Sequence, residues 1–176
     1  MLFYQATWIA AVAGAGSGYW WPGVVSFLLF STWQLAVSRW PRADIALVFA
    51  VGLLGFVMDS TYLQCGLMHF STMVPWPQLA PVWMTMLWTS YALSLNHSLA
   101  FLQTRPALAA VLGAVGAPLA YWVAGSAWHA LDFGARPVLT AAVTAVLWGV
   151  LMPGLARLAR RLQRLDLQPA ASAVRS

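Results

Sequence analysis

Residues 45–67 read IALVFAVGLLGFVMDSTYLQCGL, an apolar run in which Asp59 is the single charged residue. About 20 consecutive apolar residues are enough for an α-helix to cross a hydrocarbon core of about 30 Å. A charged residue inside such a run is costly in lipid, so it is expected to face other helices. This stretch therefore predicts a transmembrane helix that carries one buried carboxyl group.

The composition of the whole chain agrees with this interpretation. Of its 176 residues, 61% are hydrophobic and only 7% are charged, whereas a soluble domain has roughly 25% charged residues. The apolar excess also excludes a disordered chain. The apolar stretches are continuous rather than alternating, which excludes an outer-membrane barrel. The chain is thus expected to be an all-α, polytopic membrane protein.

Six apolar segments can be drawn, and most are long enough to cross a membrane. They occupy residues 2–18, 22–38, 45–67, 81–103, 107–127 and 138–158. Proline marks several of their boundaries, as it often does at the first turn of a helix. We expect residues 1–160 to form one transmembrane domain, a six-helix bundle, and residues 161–176 to form a basic, partly disordered cytoplasmic tail.

The distribution of arginine predicts the orientation of these six spans. One side would hold eight arginines, namely Arg39, Arg42, Arg105, Arg157, Arg160, Arg161, Arg164 and Arg175. The opposite side would hold Arg136 alone. Because short loops rich in arginine stay in the cytoplasm, both termini are expected to be cytoplasmic.

Asp59 is the strongest candidate for a functional residue. Its carboxylate would lie in the hydrocarbon core, where it must be paired, hydrated or protonated. Gly52 and Gly55 lie on the preceding turns of the same side, and small residues of this kind let helices approach closely. Hydrogen bonding between helices would also explain a buried aspartate, but an ionisable residue at this depth favours a functional site.

A polar stripe follows the fourth segment. Ser90, Ser94 and His97 have the i, i+4, i+7 spacing of one helix face, and Asn96 widens the stripe. The predicted intramembrane polar site consists of Asp59, Ser90, Ser94, Asn96, His97 and Tyr121. The helical rise separates Asp59 and His97 by about 10 Å in depth, so direct contact between them is not expected. Trp33, Trp88 and Trp148 are expected to lie deep in the bundle, where each indole N–H needs a partner.

The sequence contains none of the common motifs for metal or nucleophile chemistry. There is no HExxH, histidine box, GxSxG or phosphate-binding loop. The single cysteine, Cys65, excludes an intramolecular disulfide. We therefore expect no metal and no nucleic-acid partner, and the sequence indicates no particular cofactor. The expected partners are membrane lipids and another membrane protein.

Three stretches carry a resemblance to a known family: LGFVMDS (54–60), PVWMTMLWTSYALSLNHSLAFL (81–102) and GAVGAPLAYWVAG (113–125). Over about residues 1–160 the chain resembles an uncharacterised family of small bacterial inner-membrane proteins, catalogued as domain of unknown function 2878. The resemblance implies a multi-span protein of the bacterial inner membrane and no established activity. A more remote alternative is the tryptophan-rich sensory protein family, which has five spans and would imply porphyrin binding.

Three functions remain open at this point. The leading hypothesis is that the protein binds or handles a lipid-like or other apolar small molecule through the intramembrane polar site. The second is a membrane lipid-modifying enzyme in which Asp59 or His97 transfers protons. The third is an accessory subunit that docks a partner enzyme through its helices and its arginine-rich tail. The sequence does not decide whether the protein is an enzyme.

Overall fold

The computed structural model describes residues 2–173, with side chains to residue 166. Within these residues the chain forms six α-helices, a short 3-10 helix and two short strands. The helices are α1 (Leu2–Gly16), α2 (Trp21–Val37), α3 (Pro41–Gln64), α4 (Val82–Leu95), α5 (Pro106–Trp128) and α6 (Pro137–Ala173). The 3-10 helix is Ala100–Thr104, and the strands are β1 (His69–Phe70) and β2 (Leu131–Asp132). The all-α prediction is confirmed.

Proline sets the start of most of these helices. Pro22, Pro41 and Pro106 occupy the first or second position of α2, α3 and α5, and Pro137 begins α6. This position suits proline because its fixed φ is helical and its missing N–H is not needed there. Three helices, α3, α5 and α6, are long and apolar enough to cross a membrane, and α2 is a shorter apolar helix.

The fourth segment differs from its predicted extent of 81–103, because α4 ends at Leu95. The backbone then turns, with the N–H groups of His97 and Leu99 both donating to the carbonyl of Ser94. The physical reason lies in the side chains of Asn96 and His97, which bind Asp44 on α3. With 14 residues, α4 is about 21 Å long.

Helix α4 forms the centre of the bundle. Eleven of its 14 residues are buried, and it packs against α1, α2, α3 and α6. The surrounding helices expose large apolar side chains on their outer faces, for example Phe49 on α3, Val115 on α5 and Val150 on α6. Outward-facing apolar side chains around a packed interior are what a lipid environment requires.

Helix α6 continues past the predicted domain boundary at residue 160. Gln163 donates a hydrogen bond to Asn96, and Asp166 accepts one from the backbone N–H of Ala43. The first part of the predicted tail 161–176 is therefore helical and in contact with the bundle. Residues 174–176 of that tail lie outside the described residues.

The loop between α3 and α4 folds back over one end of the bundle. Its strand β1 pairs antiparallel with β2, with His69 opposite Asp132. The hydroxyl of Thr72 donates to the carbonyl of Ala15 at 2.8 Å. The hydroxyl of Ser71 lies within hydrogen-bond distance of two carbonyls, those of Ala130 at 2.8 Å and Ala15 at 3.0 Å. The carbonyl of Ala15 lies in the last turn of α1, where carbonyls have no partner within the helix, and it also accepts from the backbone N–H of Gly18. The loop is thereby fixed over the ends of α1 and α5.

Candidate functional site

Asp59 lies at the meeting point of three helices. Its side chain is fully buried. The indole Nε1 of Trp88 on α4 donates to Asp59 Oδ2 at 2.7 Å, and the hydroxyl of Tyr121 on α5 donates to Oδ1 at 3.0 Å. Each carboxyl oxygen therefore accepts one hydrogen bond from a different helix. The aspartate joins α4 and α5 to α3.

Gly55 makes this arrangement sterically possible. Gly55 and Asp59 are four positions apart, so they lie one above the other on the same face of α3. A Cβ added at Gly55 would lie only 2.1 Å from Cγ of Trp88. The missing side chain lets the indole approach α3 closely enough for its Nε1 to reach the carboxyl group.

A cavity of about 300 Å³ lies beside these residues, between α1, α4, α5 and α6. Its wall is mostly apolar and contains seven aromatic side chains. They are Tyr4, Trp8, Trp83, Trp88, Tyr91, Tyr121 and Trp148. Trp88 and Tyr121, the two partners of Asp59, thus also form part of the cavity wall.

Small residues of α5 form the opposite wall of the cavity, and they differ in what they contact. Gly113 packs tightly against α6, since an added Cβ would lie 2.2 Å from the carbonyl oxygen of Trp148. Gly116 instead faces open space, with no atom within 4 Å of an added Cβ. Gly116 and Leu112 line the cavity and are also exposed. The cavity therefore reaches the outer surface of the bundle beside α5.

Two of the predicted site residues do not join Asp59. The hydroxyl of Ser90 donates to the carbonyl of Met86, and the hydroxyl of Ser94 donates to the carbonyl of Ser90. Both bonds lie within α4, a common way for a serine to satisfy its hydroxyl inside a helix. The hydroxyls of the two predicted serines thus bond to carbonyls of α4 itself and not to Asp59.

Asn96 and His97 belong to a second polar cluster, centred on Asp44 near the start of α3. Asn96 Nδ2 donates to Asp44 Oδ1 at 2.7 Å, and His97 Nε2 lies 2.9 Å from Asp44 Oδ2. The hydroxyl of Ser38 also donates to this carboxylate. Asp44 precedes Asp59 by 15 positions, or about 22 Å along a helix. The predicted polar site is therefore two separate sites.

Asn96 also links this second cluster to the rest of the chain. Its Oδ1 accepts hydrogen bonds from Gln163 of α6 at 2.9 Å and from Gln103 of the 3-10 helix at 3.3 Å. Asp44, Gln103 and Gln163 were not among the predicted site residues. Asp44 follows Arg42 and Pro41, a position typical of an exposed helix start, and its burial depends on partners from distant segments.

The deep tryptophans fall into two groups. Trp88 and Trp148 are in the cavity wall, and their rings stack with centroids 4.6 Å apart. Trp33 instead lies on the outside of α2, where 47% of its surface is exposed, so the expectation of a deep position is wrong for this residue. Among the described residues, no three histidine, cysteine or acidic side chains come together as a group that could hold a metal ion.

The fold defines a class: an all-helical protein with three helices long and apolar enough to span a membrane, and with a cavity whose wall contains seven aromatic side chains. The family model described as protein of unknown function (DUF2878) matches residues 1–154. The chain belongs to this family, which confirms the resemblance seen in its sequence. No curated protein and no solved structure matches the chain.

Proposed function

We propose that the protein spans the membrane six times and binds a lipid-like or other apolar small molecule in the cavity beside Asp59. The observation that carries this proposal is the cavity itself, with a volume of about 300 Å³ and a mostly apolar wall that contains seven aromatic side chains. Pockets of about 300–1,000 Å³ with apolar walls and a few polar groups are typical of small-molecule sites.

The bundle and the arginines together support the proposal of six spans. Helices α1, α2 and α4 pack in the same bundle as the three longer helices. With six spans, eight of the nine arginines lie on one side. The positive-inside rule supports a cytoplasmic location of that side, and both termini would then be cytoplasmic. The bacterial inner membrane is part of the proposal and comes from the resemblance to the family.

Asp59 acts in this proposal as a positioning residue. Both of its oxygens already accept hydrogen bonds, from Trp88 and Tyr121. The carboxyl group therefore fixes the wall of the cavity, and Asp59 itself is not among the residues that line it. A wall held by hydrogen bonds from two helices keeps its shape when the cavity is empty, which lowers the entropic cost of binding.

The ligand would enter from the bilayer. Gly116 and Leu112 lie at the edge of the cavity and on the exposed face of α5. In a membrane this face would contact acyl chains, so an apolar molecule would pass into the cavity without crossing water. Substitution of Gly116 by a large side chain would obstruct this route and fill the cavity.

The test compares two glycine-to-tryptophan variants in lipid nanodiscs. We expect Gly116→Trp to lose the small molecule that co-purifies with the wild-type protein, as measured by native mass spectrometry and extraction of the bound material. Gly154→Trp is the matched control, because Gly154 also has no atom within 4 Å of an added Cβ and does not line the cavity.

Two results would contradict the proposal. One is a wild-type protein that carries no bound molecule and takes up no added lipid. The other is equal retention of the ligand by Gly116→Trp and Gly154→Trp, since that would place the ligand outside the cavity.

A lipid-modifying enzyme is the second candidate, favoured by the pair of His97 and Asp44. A histidine held by a buried carboxylate is a common arrangement for proton transfer. The His97 side chain is 21% exposed, so a substrate would be able to reach it. If the protein is an enzyme of this kind, His97→Gln will fail to restore the lipid profile of a deletion strain, whereas the wild type will restore it.

A further inference from the structure

A second cavity, which we call the end pocket, has a volume of about 620 Å³ and lies where α5 ends. Its lining includes Gly125 and Ser126 from the last turn of α5, and His69 and Asp132 from the paired strands β1 and β2. Leu131 lines both the end pocket and the apolar cavity between α1, α4, α5 and α6. The two cavities therefore adjoin, with Leu131 between them.

The two cavities follow one another along α5. The residues of α5 that line the apolar cavity extend from Leu112 to Ala124, and those that line the end pocket extend from Trp122 to Ser126. Leu112 and Ala124 are 12 positions apart, or about 18 Å along a helix. This length is comparable with one leaflet of the bilayer, which is half of a hydrocarbon core of about 30 Å. The apolar cavity therefore has the length of one lipid chain, and the end pocket lies where the head of that lipid would be.

The lining of the end pocket has the chemistry of a cation site. In the described part of this lining, Asp132 is the one acidic residue and there is no arginine, since Arg136 of the same loop does not take part. Three aromatic side chains, Phe70, Trp122 and Phe133, line the pocket as well. The carboxyl end of α5 adds the negative end of a helix dipole. Aromatic rings around a pocket are a common means of binding a quaternary ammonium group, and the nearby carboxylate favours the same charge.

Direct contacts connect the walls of the two cavities. Trp83 lines the apolar cavity, whereas Phe70 and Ser71 line the end pocket. The indole Nε1 of Trp83 donates to the carbonyl of Ser71 at 3.0 Å, and the rings of Trp83 and Phe70 pack edge-on with centroids 6.3 Å apart. The antiparallel pairing of β1 with β2 sets Phe70 opposite Leu131. The two cavities thus share one connected wall, and a preformed wall lowers the entropic cost of binding.

We propose that the end pocket binds the positively charged amine head of an amphiphile whose apolar chain fills the adjoining apolar cavity. This inference rests on the proposed function, because it names the head group of the molecule in that cavity. Asp132 pairs with the amine, Trp122 contacts it through its ring, and Leu131 packs against the junction of head and chain. A free amine has the same charge, but the adjoining apolar cavity favours an amine that carries a chain.

The first test presents the wild-type protein in nanodiscs with four probes and measures binding by native mass spectrometry. The probes are hexadecyltrimethylammonium, the tert-butyl hydrocarbon in which carbon replaces its nitrogen, palmitate, and tetramethylammonium without a chain. The pH is about 8, where histidine is ordinarily neutral, because His69 and His129 also line the end pocket. We expect hexadecyltrimethylammonium to bind about tenfold more tightly than the hydrocarbon of equal shape. Palmitate and tetramethylammonium should both bind more weakly than hexadecyltrimethylammonium.

The failures of the two proposals are distinguishable. Equal binding of hexadecyltrimethylammonium and the hydrocarbon would overturn the amine proposal and leave the apolar cavity site standing. Preference for palmitate would overturn the argument from charge. Binding of tetramethylammonium as tight as that of the long-chain probe would show a site for a free amine and overturn the proposal of one molecule in both cavities. Failure of all four probes to bind would overturn the proposed function as well.

The second test removes the carboxylate of the end pocket. We expect Asp132→Asn to weaken the binding of hexadecyltrimethylammonium about fivefold and to leave that of the hydrocarbon unchanged, because one exposed ion pair is lost. Asp166→Asn is the matched control, since it removes the same charge and Asp166 lies on α6 beside the start of α3, outside both cavities. Unchanged binding by Asp132→Asn, or an equal loss in both variants, would overturn the proposal.

Discussion

The indole of Trp88 occupies the space in which a side chain at Gly55 would begin. An added Cβ at Gly55 would lie 2.1 Å from Trp88 Cγ and 2.5 Å from Cδ1. This close approach lets Nε1 of the same indole donate to Asp59 one turn further along α3. The absence of a side chain at Gly55 therefore determines where Trp88, one of the aromatic residues of the cavity wall, lies.

Gly55→Ala should destabilise the protein by roughly 2–3 kcal/mol. The new methyl group displaces the indole, which strains the packing and breaks the hydrogen bond to Asp59. The higher helix propensity of alanine offsets this cost by at most about 1 kcal/mol. Thermal unfolding in detergent would measure the change. Gly154→Ala is the control, because an added Cβ there meets no atom within 4 Å, and equal stability of the two variants would contradict the prediction.

Two substitutions of Asp59 should show whether the stability of the protein depends on the hydrogen bonds of this side chain or on its charge. In Asp59→Asn the amide oxygen can still accept from Trp88, and the amide N–H can donate to Tyr121, whose hydroxyl also accepts hydrogen bonds. We therefore expect a loss of about 1 kcal/mol or less and retained ligand binding. Asp59→Leu leaves both partners without an acceptor and should cost roughly 2–6 kcal/mol, at about 1–3 kcal/mol for each buried group.

A double substitution provides the control for Asp59. Adding Tyr121→Phe to Asp59→Leu removes one of the two unsatisfied groups, so the pair should cost less than the sum of the single variants. Chemical unfolding in mixed micelles would give the three free energies. Strict additivity would show that the bond between Tyr121 and Asp59 contributes nothing to stability.

Asp44 should matter more to stability than its place at a helix start suggests. Its carboxylate accepts from Ser38, Asn96 and His97. Asp44→Ala leaves these donors without an acceptor and should cost roughly 3 kcal/mol. Asp132→Ala is the control, because Asp132 is exposed on β2 and its loss should be nearly neutral. The midpoint of thermal unfolding would be measured for Asp44→Ala and for Asp132→Ala. Similar midpoints for the two variants would contradict this role for Asp44.

The helices were largely predictable because their starts depend on local chemistry. Proline fixes the first turn wherever it falls, so Pro22, Pro41, Pro106 and Pro137 mark boundaries without knowledge of the fold. The end of α4 was not predictable in this way. It depends on contacts between Asn96 and Asp44, 52 positions apart, and local periodicity carries no information about such a partner.

The candidate site was predictable only in part, for the same reason. The cost of a carboxyl group in lipid indicates that Asp59 is buried. The position of Trp88 within its apolar segment indicates that it lies deep, where its indole N–H needs a partner. The contact between Asp59 and Trp88 depends on Gly55. A glycine in a membrane helix predicts that another helix packs closely there, but it does not indicate which residue of that helix makes the contact. Tyr91 lies in the cavity wall but gave no signal in the sequence, because a tyrosine in an apolar helix resembles any other core aromatic residue.

Reporter fusions should give opposite signals on the two sides of the membrane in the predicted topology. An alkaline phosphatase joined after Pro75 should be active, because the loop between α3 and α4 would lie in the periplasm. The same enzyme joined after Ser176 should be inactive, and a green fluorescent protein there should fluoresce. The physical reason is the clustering of arginine on the side of the C-terminus, with Arg136 alone on the other side. A fusion after Arg105 is the control and should match Ser176. Active phosphatase at Ser176 would mean that the number of spans or their orientation differs from six with both ends inside.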